Sequence, residues 1–297
     1  MGCGICIYFL YFKYDTLPSP YNFFTYRKPY HHNAMNILKR FCLSAAMAAA
    51  AFFGSGAAEA STPLPVSLFL PNSHAKSLTT PVGWGSAFGS FFVGFGGTSP
   101  APYSDDSDGG MAIGVGIGNP IKNVGLQAAL VSLDMNEWDR YALNLHLHRY
   151  LGCARSIAIG VENIMLSDGS DAEESFYIVY SHGVLCEPFI NKEKGTTRLH
   201  FSVGAGTGRF RDKSPQDIAS GKSKHGTTVF GNVSYELFDE LNLIADWNGV
   251  NLNAGISKTF AITERVPLVI SIGAADLTDY SGDGVRLIGA IGTGITL

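Results

Sequence analysis

From residue 84 to the end of the chain, apolar and polar residues alternate in a series of short runs. The clearest example is LNLIADWNGVNLNAGIS, residues 241–257, in which every second position is apolar on each side of Asn248-Gly249. A period of two predicts a half-buried strand, and Asn-Gly between two such runs is the strongest short-range signal for a hairpin. We therefore predict a β-hairpin that turns at Asn248-Gly249.

The same alternation predicts about 12 strands in total. They cover residues 84–96, 110–118, 123–133, 140–150, 155–165, 175–185, 197–207, 227–237, 240–248, 251–260, 266–275 and 285–297. No segment of useful length has a period of 3.6 residues, so no helix is predicted after the N-terminal region.

The connections between these runs alternate in length. Those after odd-numbered runs are mostly long, acidic and glycine-rich: 97–109, 134–139, 166–174, 208–226, 248–250 and 276–284. Those after even-numbered runs are mostly tight: 119–122, 151–154, 186–196, 238–239 and 261–265. Short turns at one end and longer loops at the other are typical of outer-membrane barrels, with both termini on the periplasmic side.

The composition favours a membrane barrel over a secreted soluble β-sandwich, which remains an alternative. Charged residues make up 15% of the chain, against about 25% in an ordinary soluble domain. The face opposite the branched aliphatics carries mostly Gly, Ala, Ser and Asn, and such a water-facing surface would be poorly soluble. We therefore predict an all-β, transmembrane, antiparallel up-and-down barrel.

The N-terminal region predicts export to the bacterial outer membrane. Residues 35–60 contain a basic start, an apolar segment at 41–53 and the small-x-small site Ala58-Glu59-Ala60, so we expect a signal peptide cleaved between Ala60 and Ser61. Residues 1–34 fit no part of a signal peptide and are interpreted as an over-extended gene start.

The rest of the chain divides into a leader and the barrel. Residues 61–83 are rich in Pro, Ser and Thr and are predicted to be an extended periplasmic leader without a core, followed by the barrel at 84–297. The net charge is −4 with no basic run, which excludes nucleic acid as an expected partner.

Several segments resemble a known class of protein. WGSAFGSFFVGFGG, DSDGGMAIGVGIGNPIKNVGLQAAL, LHLHRYL…AIGVENIM and PLVISIGAADLTDYSGDGVRL are similar to uncharacterised bacterial outer-membrane β-barrels of cyanobacterial type. The hairpin ADWNGVNLNAGIS also resembles one in YjbH-like barrels that are associated with exopolysaccharide export. The resemblance implies the fold and the location, and it implies little about a substrate.

Polar residues at the strand positions that are predicted to face the lumen are the candidates for function. They are His146, His148, Glu162, His200, Glu236, Asp246, Asn253 and Arg286. They are interpreted either as a hydrogen-bonded and ion-paired network or as charges that select solutes in a pore. Because many inward positions are glycine, a barrel of this strand number is expected to leave a narrow pore.

No catalytic, metal or cofactor site is predicted. The chain contains no Gly-x-Ser-x-Gly elbow, and His148 has no serine at the place where outer-membrane lipases carry one. His146 and His148 have a spacing at which they could share a metal ion, but no third ligand is identifiable.

Three features outside the lumen leave alternatives open. The acidic loops are expected either to be plainly solvated or to bind surface polysaccharide or lipopolysaccharide through divalent cations. Loop 208–226 is basic, and it is expected to fold into the lumen or to pair with the acidic loops. Cys153 and Cys186 fall in connections on the same side, where an oxidising compartment permits a disulfide.

The sequence thus predicts an outer-membrane β-barrel, in contact with outer-membrane lipid, that acts as a narrow pore or envelope-surface component without catalysis. The alternatives are a closed structural or polysaccharide-export-associated barrel and a secreted soluble β-sandwich.

Overall fold

The computed structural model describes most of the chain after the N-terminal region. The described residues are 70–71, 75–133, 140–167, 173–191, 194–221, 223–263, 266–279 and 284–297. The predicted signal peptide, its cleavage site and the over-extended start lie outside them and stay predictions.

The strands account for most of these residues. In chain order they are β1 (Leu70–Pro71), β2 (Ser90–Ser99), β3 (Asp108–Gly118), β4 (Gly125–Ser132), β5 (Tyr141–Gly152), β6 (Arg155–Met165), β7 (Ser175–Gly183), β8 (Ile190–Asn191), β9 (Thr196–Thr197), β10 (Leu199–Gly206), β11 (Val229–Phe238), β12 (Leu241–Trp247), β13 (Leu252–Thr263), β14 (Val266–Ala275) and β15 (Arg286–Thr296).

The twelve long strands form one closed barrel in the order β10-β11-β12-β13-β14-β15-β2-β3-β4-β5-β6-β7. Each strand pairs antiparallel with the next strand of the barrel along the chain, and β15 pairs with β2 to close it. The short strands β1, β9 and β8 form a separate three-stranded sheet. The predicted fold class is confirmed, and the β-sandwich alternative is wrong because the twelve long strands close into one barrel and do not form two facing sheets.

Each predicted run overlaps one barrel strand. The largest difference is at the first run, which was expected from residue 84, whereas β2 begins at Ser90. The expectation of no helix is wrong for α1 (Pro215–Ala219), where Ser214 caps the helix by accepting from the Asp217 N–H at 3.1 Å. Its five residues are too short to show a helical period.

The two ends of the barrel differ. At the end that we call the turn rim, β3 is joined to β4, β5 to β6, β7 to β10, β11 to β12 and β13 to β14, and Leu297 lies there. At the opposite end, the loop rim, β2 is joined to β3, β4 to β5, β6 to β7, β10 to β11, β12 to β13 and β14 to β15. Among the described residues, no helix is both long and apolar enough to span a membrane.

The outer face of the barrel is apolar. Val203 and Val233 are each 50% exposed, and Ile272 is 48% exposed. Their neighbours along the strand, such as Ser202 and Ser234, are buried inside. The predicted facing of the alternating strands is confirmed, and this exterior is suited to hydrocarbon because it exposes aliphatic side chains all round the sheet.

An arginine on this face tests whether it contacts lipid. Ile270→Arg, in the middle of β14, is expected to lower the free energy of unfolding by about 2–4 kcal/mol because a charge at the bilayer midplane is costly. The matched change Ile262→Arg, next to the end of β13, is expected to cost about 0–1 kcal/mol. Urea unfolding in lipid vesicles measures both, and equal costs would contradict a lipid-facing exterior.

Aromatic side chains fill part of the lumen by packing over glycines on neighbouring strands. The cross-strand pairs are Phe92–Gly114, Tyr177–Gly160 and Phe230–Gly204. At each of these glycines an added Cβ would lie 2.3 Å from the aromatic ring or hydroxyl atoms. The inward glycines therefore make room for rings, and the expectation that they leave the lumen open is wrong in this region.

Candidate functional site

A segment that precedes the first barrel strand runs through the lumen. Residues 75–89, which we call the plug, begin beside Ser257, whose hydroxyl donates to the Ala75 carbonyl at 3.0 Å. They end at the turn rim, where the Phe88 N–H donates to the Gly118 carbonyl at 2.8 Å. Residues 75–83, the end of the predicted leader 61–83, therefore lie against the lumen wall, and their small polar residues are matched by polar groups of the lumen.

Asp246, on β12 near the loop rim, holds the deepest part of the plug. One carboxylate oxygen accepts from the Ser77 hydroxyl and the Leu78 N–H, both at 2.9 Å, and from the Thr79 N–H at 2.7 Å. The other accepts from the Thr79 hydroxyl at 2.9 Å and from the Asn253 amide at 2.8 Å. All of its partners are donors, as an ionised carboxylate requires, and its side chain is 1% exposed.

Further along, the plug is bound by short polar side chains from several strands. Asn232 on β11 donates to the Thr80 hydroxyl at 3.0 Å. The Gly83 N–H donates to Ser181 at 2.7 Å, and its carbonyl accepts from Ser156 at 2.5 Å. The plug also contacts Ser257 on β13 and Gln127 on β4, two strands that lie nearly opposite each other in the barrel, and it therefore crosses the lumen.

Apolar contacts of the plug are few by comparison. Leu78 is buried in a small cluster with Ile244, Ala275 and Ile288. Because hydrogen bonds are worth little net once water can replace them, such a segment is held less firmly than one with a large apolar core.

Three predicted lumen histidines surround the later part of the plug. His146 and His148 on β5 stack with ring centroids 5.2 Å apart and an interplanar angle of 27°. A Cβ added at Gly85 would lie 2.8 Å from atoms of both rings, so the plug backbone lies directly against them. His200 on β10 meets the edge of Trp84 at 5.7 Å between centroids.

These histidines do not form a metal centre with other ligands. Within the described part of the chain, no group of three or more His, Cys, Asp or Glu side chains is placed to hold a metal ion.

Loop 208–226 enters the barrel from the loop rim. Arg209 donates to both carboxylate oxygens of Glu162 on β6, at 2.5 and 3.2 Å. The next residue, Phe210, is fully buried and stacks on Phe230 with centroids 4.4 Å apart. The first residues of this loop therefore fold into the lumen, which was one of the two expectations for the loop.

Part of the basic charge of this loop is paired within the loop. Asp212 accepts from Arg211 at 3.0 and 3.1 Å and makes a hydrogen bond of 2.8 Å with His225. Partial burial opposes ionisation of Asp212, but the hydrogen bonds and charges of Arg211 and His225 outweigh it and lower the pKa of this carboxyl.

The Asn248-Gly249 turn lies against the same loop. Gly249 has φ +101°, and an added Cβ would lie 2.0 Å from the Phe210 carbonyl oxygen. Its own carbonyl accepts from the Thr227 N–H at 2.7 Å, and the Thr227 hydroxyl accepts from the Trp247 indole at 2.8 Å. The shortest connection of the loop rim is thus where the neighbouring long loop turns inward.

The remaining predicted lumen residues are Glu236, Asn253 and Arg286. Glu236 is buried near the turn rim, where it accepts from the Glu240 N–H at 2.8 Å and lies 3.4 Å from Arg198. Asn253 joins the Asp246 cluster, and Arg286 is buried at the start of β15. The structure therefore brings Asp246 together with Asn253 and His146 with His148, while Glu162 and Glu236 each meet an arginine from a connection.

Two further features concern the rims. Cys153 and Cys186 are both exposed and are not joined in the structure, and the disulfide that the sequence permits stays a prediction. A cavity of about 410 Å³ opens at the turn rim and is lined by Glu187, Ile190, Asn191, Arg198, Glu236, Phe238 and Asp239.

The plug and Trp84 were not predicted from the sequence. The sequence signal of the plug is a stretch of small polar residues, AKSLTTPVG, which is equally compatible with a solvated linker. Only the matching polar groups on several strands distinguish the two, and these come together through the closed barrel.

Comparison with known proteins identifies no family. No protein-family model and no curated protein matches the chain, so the resemblance to cyanobacterial-type and YjbH-like barrels stays a prediction. Among solved structures, the chain is similar to a KdgM porin in complex with disordered oligogalacturonate (8% identity, 70% of this chain and 99% of the other, TM-score 0.42). It is also similar to the NanC porin (11%, 70% and 100%, 0.43) and to outer membrane phospholipase A from Escherichia coli (13%, 71% and 94%, 0.39).

Proposed function

We propose that the protein is a bacterial outer-membrane barrel that provides a narrow pore and that residues 75–89 keep this pore closed in the described state. The observation that carries the proposal is the Asp246 cluster, in which one buried carboxylate accepts four hydrogen bonds from the plug. A permanent core element would be buried mainly through apolar side chains, whereas this segment is bound mainly by groups that water can also satisfy.

The apolar exterior of the barrel supports a location in the outer membrane, and the polar lining of the lumen supports a role as a pore. Behind the plug, the wall carries small polar residues such as Ser181, Ser202, Ser257 and Asn232. When the plug leaves, these groups can be hydrated, and the space that it occupied becomes a polar path between the two rims. A selective role for Asp246 would then begin only after plug release, because the carboxylate is fully engaged while the plug is seated.

Loss of the Asp246 carboxylate is expected to open the pore. Asp246→Ala removes the acceptor of four donors of the plug. It is expected to disfavour the seated plug by more than about 3 kcal/mol, because each bond to a charged group is worth about 1.5–3 kcal/mol and only a released plug can give its donors to water. Single-channel recordings in planar bilayers are expected to show rare steps for the unaltered protein and frequent, reproducible steps for Asp246→Ala.

A surface acid provides the matched control. Asp106 is exposed in the connection between β2 and β3, and Asp106→Ala is expected to leave conductance unchanged. A silent Asp246→Ala barrel that still folds, as shown by heat-modifiable migration on gels, would contradict the pore.

The second candidate function is a closed structural barrel of the envelope, and the aromatic filling favours it. Phe210, Phe230, Tyr177, Val179 and Ala158 form one buried cluster across the lumen near the loop rim. If this cluster stays in place after plug release, the barrel remains sealed, and the same recordings then stay silent for every plug variant.

The proposal assigns no catalytic step to the chain. His146 and His148 contact the plug and Tyr177, and neither has a serine or carboxylate partner among its recorded contacts in the described residues. Binding of surface polysaccharide or lipopolysaccharide through divalent cations remains part of the proposal for the exposed acidic loops. Their described and exposed acids are Asp105, Asp106, Glu173, Glu174 and Asp279.

A further inference from the structure

We propose that the plug is an acid-sensitive gate, held closed by the neutral forms of His146, His148 and His200 and released when these buried histidines take up protons. The inference rests on the proposed function in one respect, namely that release of the plug opens a pore. The gate itself is a property of the plug and is tested below without any measurement of conductance.

The first observation is that all three rings are buried against the plug. His146 and His148 are each 3% exposed, and His200 is 0% exposed. Gly85 lies against the first two and Trp84 against the third. Water therefore reaches these imidazoles only when residues 84–86 move away.

The second observation is that a second proton on these rings finds few acceptors, the nearest being backbone groups of His146 and of Trp84 and Gly85 in the plug. Each neutral imidazole has one N–H and one bare nitrogen, and protonation adds a further donor. His146 Nδ1 bonds the Tyr177 hydroxyl at 2.7 Å, and His200 Nε2 bonds the Thr197 hydroxyl at 2.6 Å. Four ring nitrogens have no hydrogen-bond partner: Nε2 of His146, Nδ1 and Nε2 of His148, and Nδ1 of His200.

The third observation is the charge around the rings. His146 and His148 face each other on β5, so protonation of both would place two positive charges in stacked rings. His200 faces Lys76 of the plug and His182 of β7, both cationic or able to become so. Within the described residues, no carboxylate is recorded among the groups that interact with these three rings.

The direction of the pH effect follows from burial. In the released state the imidazoles are hydrated and bind protons below about pH 6.5, as free histidine does, whereas a proton added in the seated state places a charge on a buried ring. Each histidine then shifts the equilibrium toward release by up to about tenfold for every pH unit below that value. The plug is stable at neutral pH and is released on acidification.

Thiol accessibility tests the gate directly. Val82 lies in the plug, is 2% exposed and has no side-chain hydrogen bond to lose. In a background in which the native cysteines other than Cys153 are serine, Val82→Cys is labelled with dithiodipyridine, and its rate is divided by that of the exposed Cys153 at the same pH. We expect this ratio to rise at least tenfold between pH 7.5 and pH 5.0.

Substitution of the histidines shows whether they are the sensors. His146→Gln, His148→Gln and His200→Gln together are expected to abolish the rise, and each single change is expected to make it less steep. His225→Gln, in the exposed loop 208–226, is the matched control and is expected to leave the rise intact. The single variants keep the test informative if the triple variant does not fold.

The outcomes separate the gate from the pore. A labelling ratio that does not change with pH overturns the gate, as does a rise that persists in folded histidine variants. If the ratio rises at pH 5.0 while planar bilayers stay silent at both pH values, the gate stands and the proposed pore fails. If Asp246→Ala conducts while labelling of the otherwise unaltered Val82→Cys protein is independent of pH, the pore stands and the gate fails.

Discussion

Gly249→Ala is expected to destabilise the barrel by about 2–6 kcal/mol, the sum of backbone strain of about 1–3 kcal/mol and overpacking of about 1–3 kcal/mol. Gly249 has φ +101°, where an L side chain is strained, and the new Cβ would lie 2.0 Å from the backbone carbonyl of Phe210. Neither atom is at the end of a flexible side chain, so the loop backbone itself must move.

That movement is expected to unseat Phe210 from Phe230 and to loosen the loop-rim cluster. Urea unfolding in detergent or lipid vesicles measures the free energy, and tryptophan fluorescence reports the environment of Trp247 beside the turn.

The control variant Gly152→Ala distinguishes backbone strain at a positive φ from a steric clash of the new Cβ. Gly152 has φ +83°, yet nothing lies within 4 Å of the added Cβ, so only the strain of about 1–3 kcal/mol applies. If the two variants lose the same free energy, the contact between the turn and loop 208–226 is not present in solution.

Arg209→Ala is expected to cost about 3–5 kcal/mol because it leaves a buried carboxylate without its counter-charge. The side chain of Glu162 is 1% exposed and that of Arg209 is 11% exposed. Removal of Arg209 strands the charge inside the lumen, where Glu162 must be hydrated or neutralised. Chemical unfolding at pH 7.5 measures the loss.

An exposed ion pair provides the comparison. Lys194 and Asp239 form a salt bridge at the turn rim with side chains 45% and 68% exposed. Lys194→Ala is expected to cost about 0–1 kcal/mol, since surface pairs contribute little. If Arg209→Ala lowered the free energy of unfolding by as little as Lys194→Ala, water would already reach Glu162.

Replacement of the buried pair as a whole sharpens this test. The double variant Glu162→Gln with Arg209→Met removes both charges at similar volume, and it is expected to recover most of the loss because no unpaired charge remains. Failure to recover would indicate that the arginine acts through its packing on Phe210, over which its guanidinium lies at 4.2 Å.

Local pattern was sufficient to predict the strands. Each barrel strand carries its own alternation, as in Leu268, Ile270 and Ile272, and the side chain period of two is a property of the backbone alone. The turn at Asn248-Gly249 is equally local, because the positive φ that it needs is available to glycine at little cost. Strand number, facing and most boundaries therefore required no knowledge of distant residues.

The candidate site was predicted only as a set of inward residues. The alternation along each strand placed Asp246, Glu162 and His200 inside the barrel. It carries no information on which groups these side chains contact there. The partner of Asp246 is Ser77–Thr79, more than 160 positions earlier in the chain, and no periodicity links the two. Tyr150, near the end of β5, is also buried and accepts from the Ala154 N–H at 3.0 Å, a contact that alternation along the strand does not predict.

The sequence by itself determined a twelve-stranded, lipid-compatible barrel wall, because hydrophobic alternation is read residue by residue along each strand. Only the tertiary structure decided what fills the lumen. The inward glycines were interpreted as open space, but the rings of Phe92, Tyr177 and Phe230 pack over them. A polar stretch that was predicted to be a leader forms the plug. The physical reason is that the lumen exists only after the barrel closes, so its contacts join residues far apart in the chain.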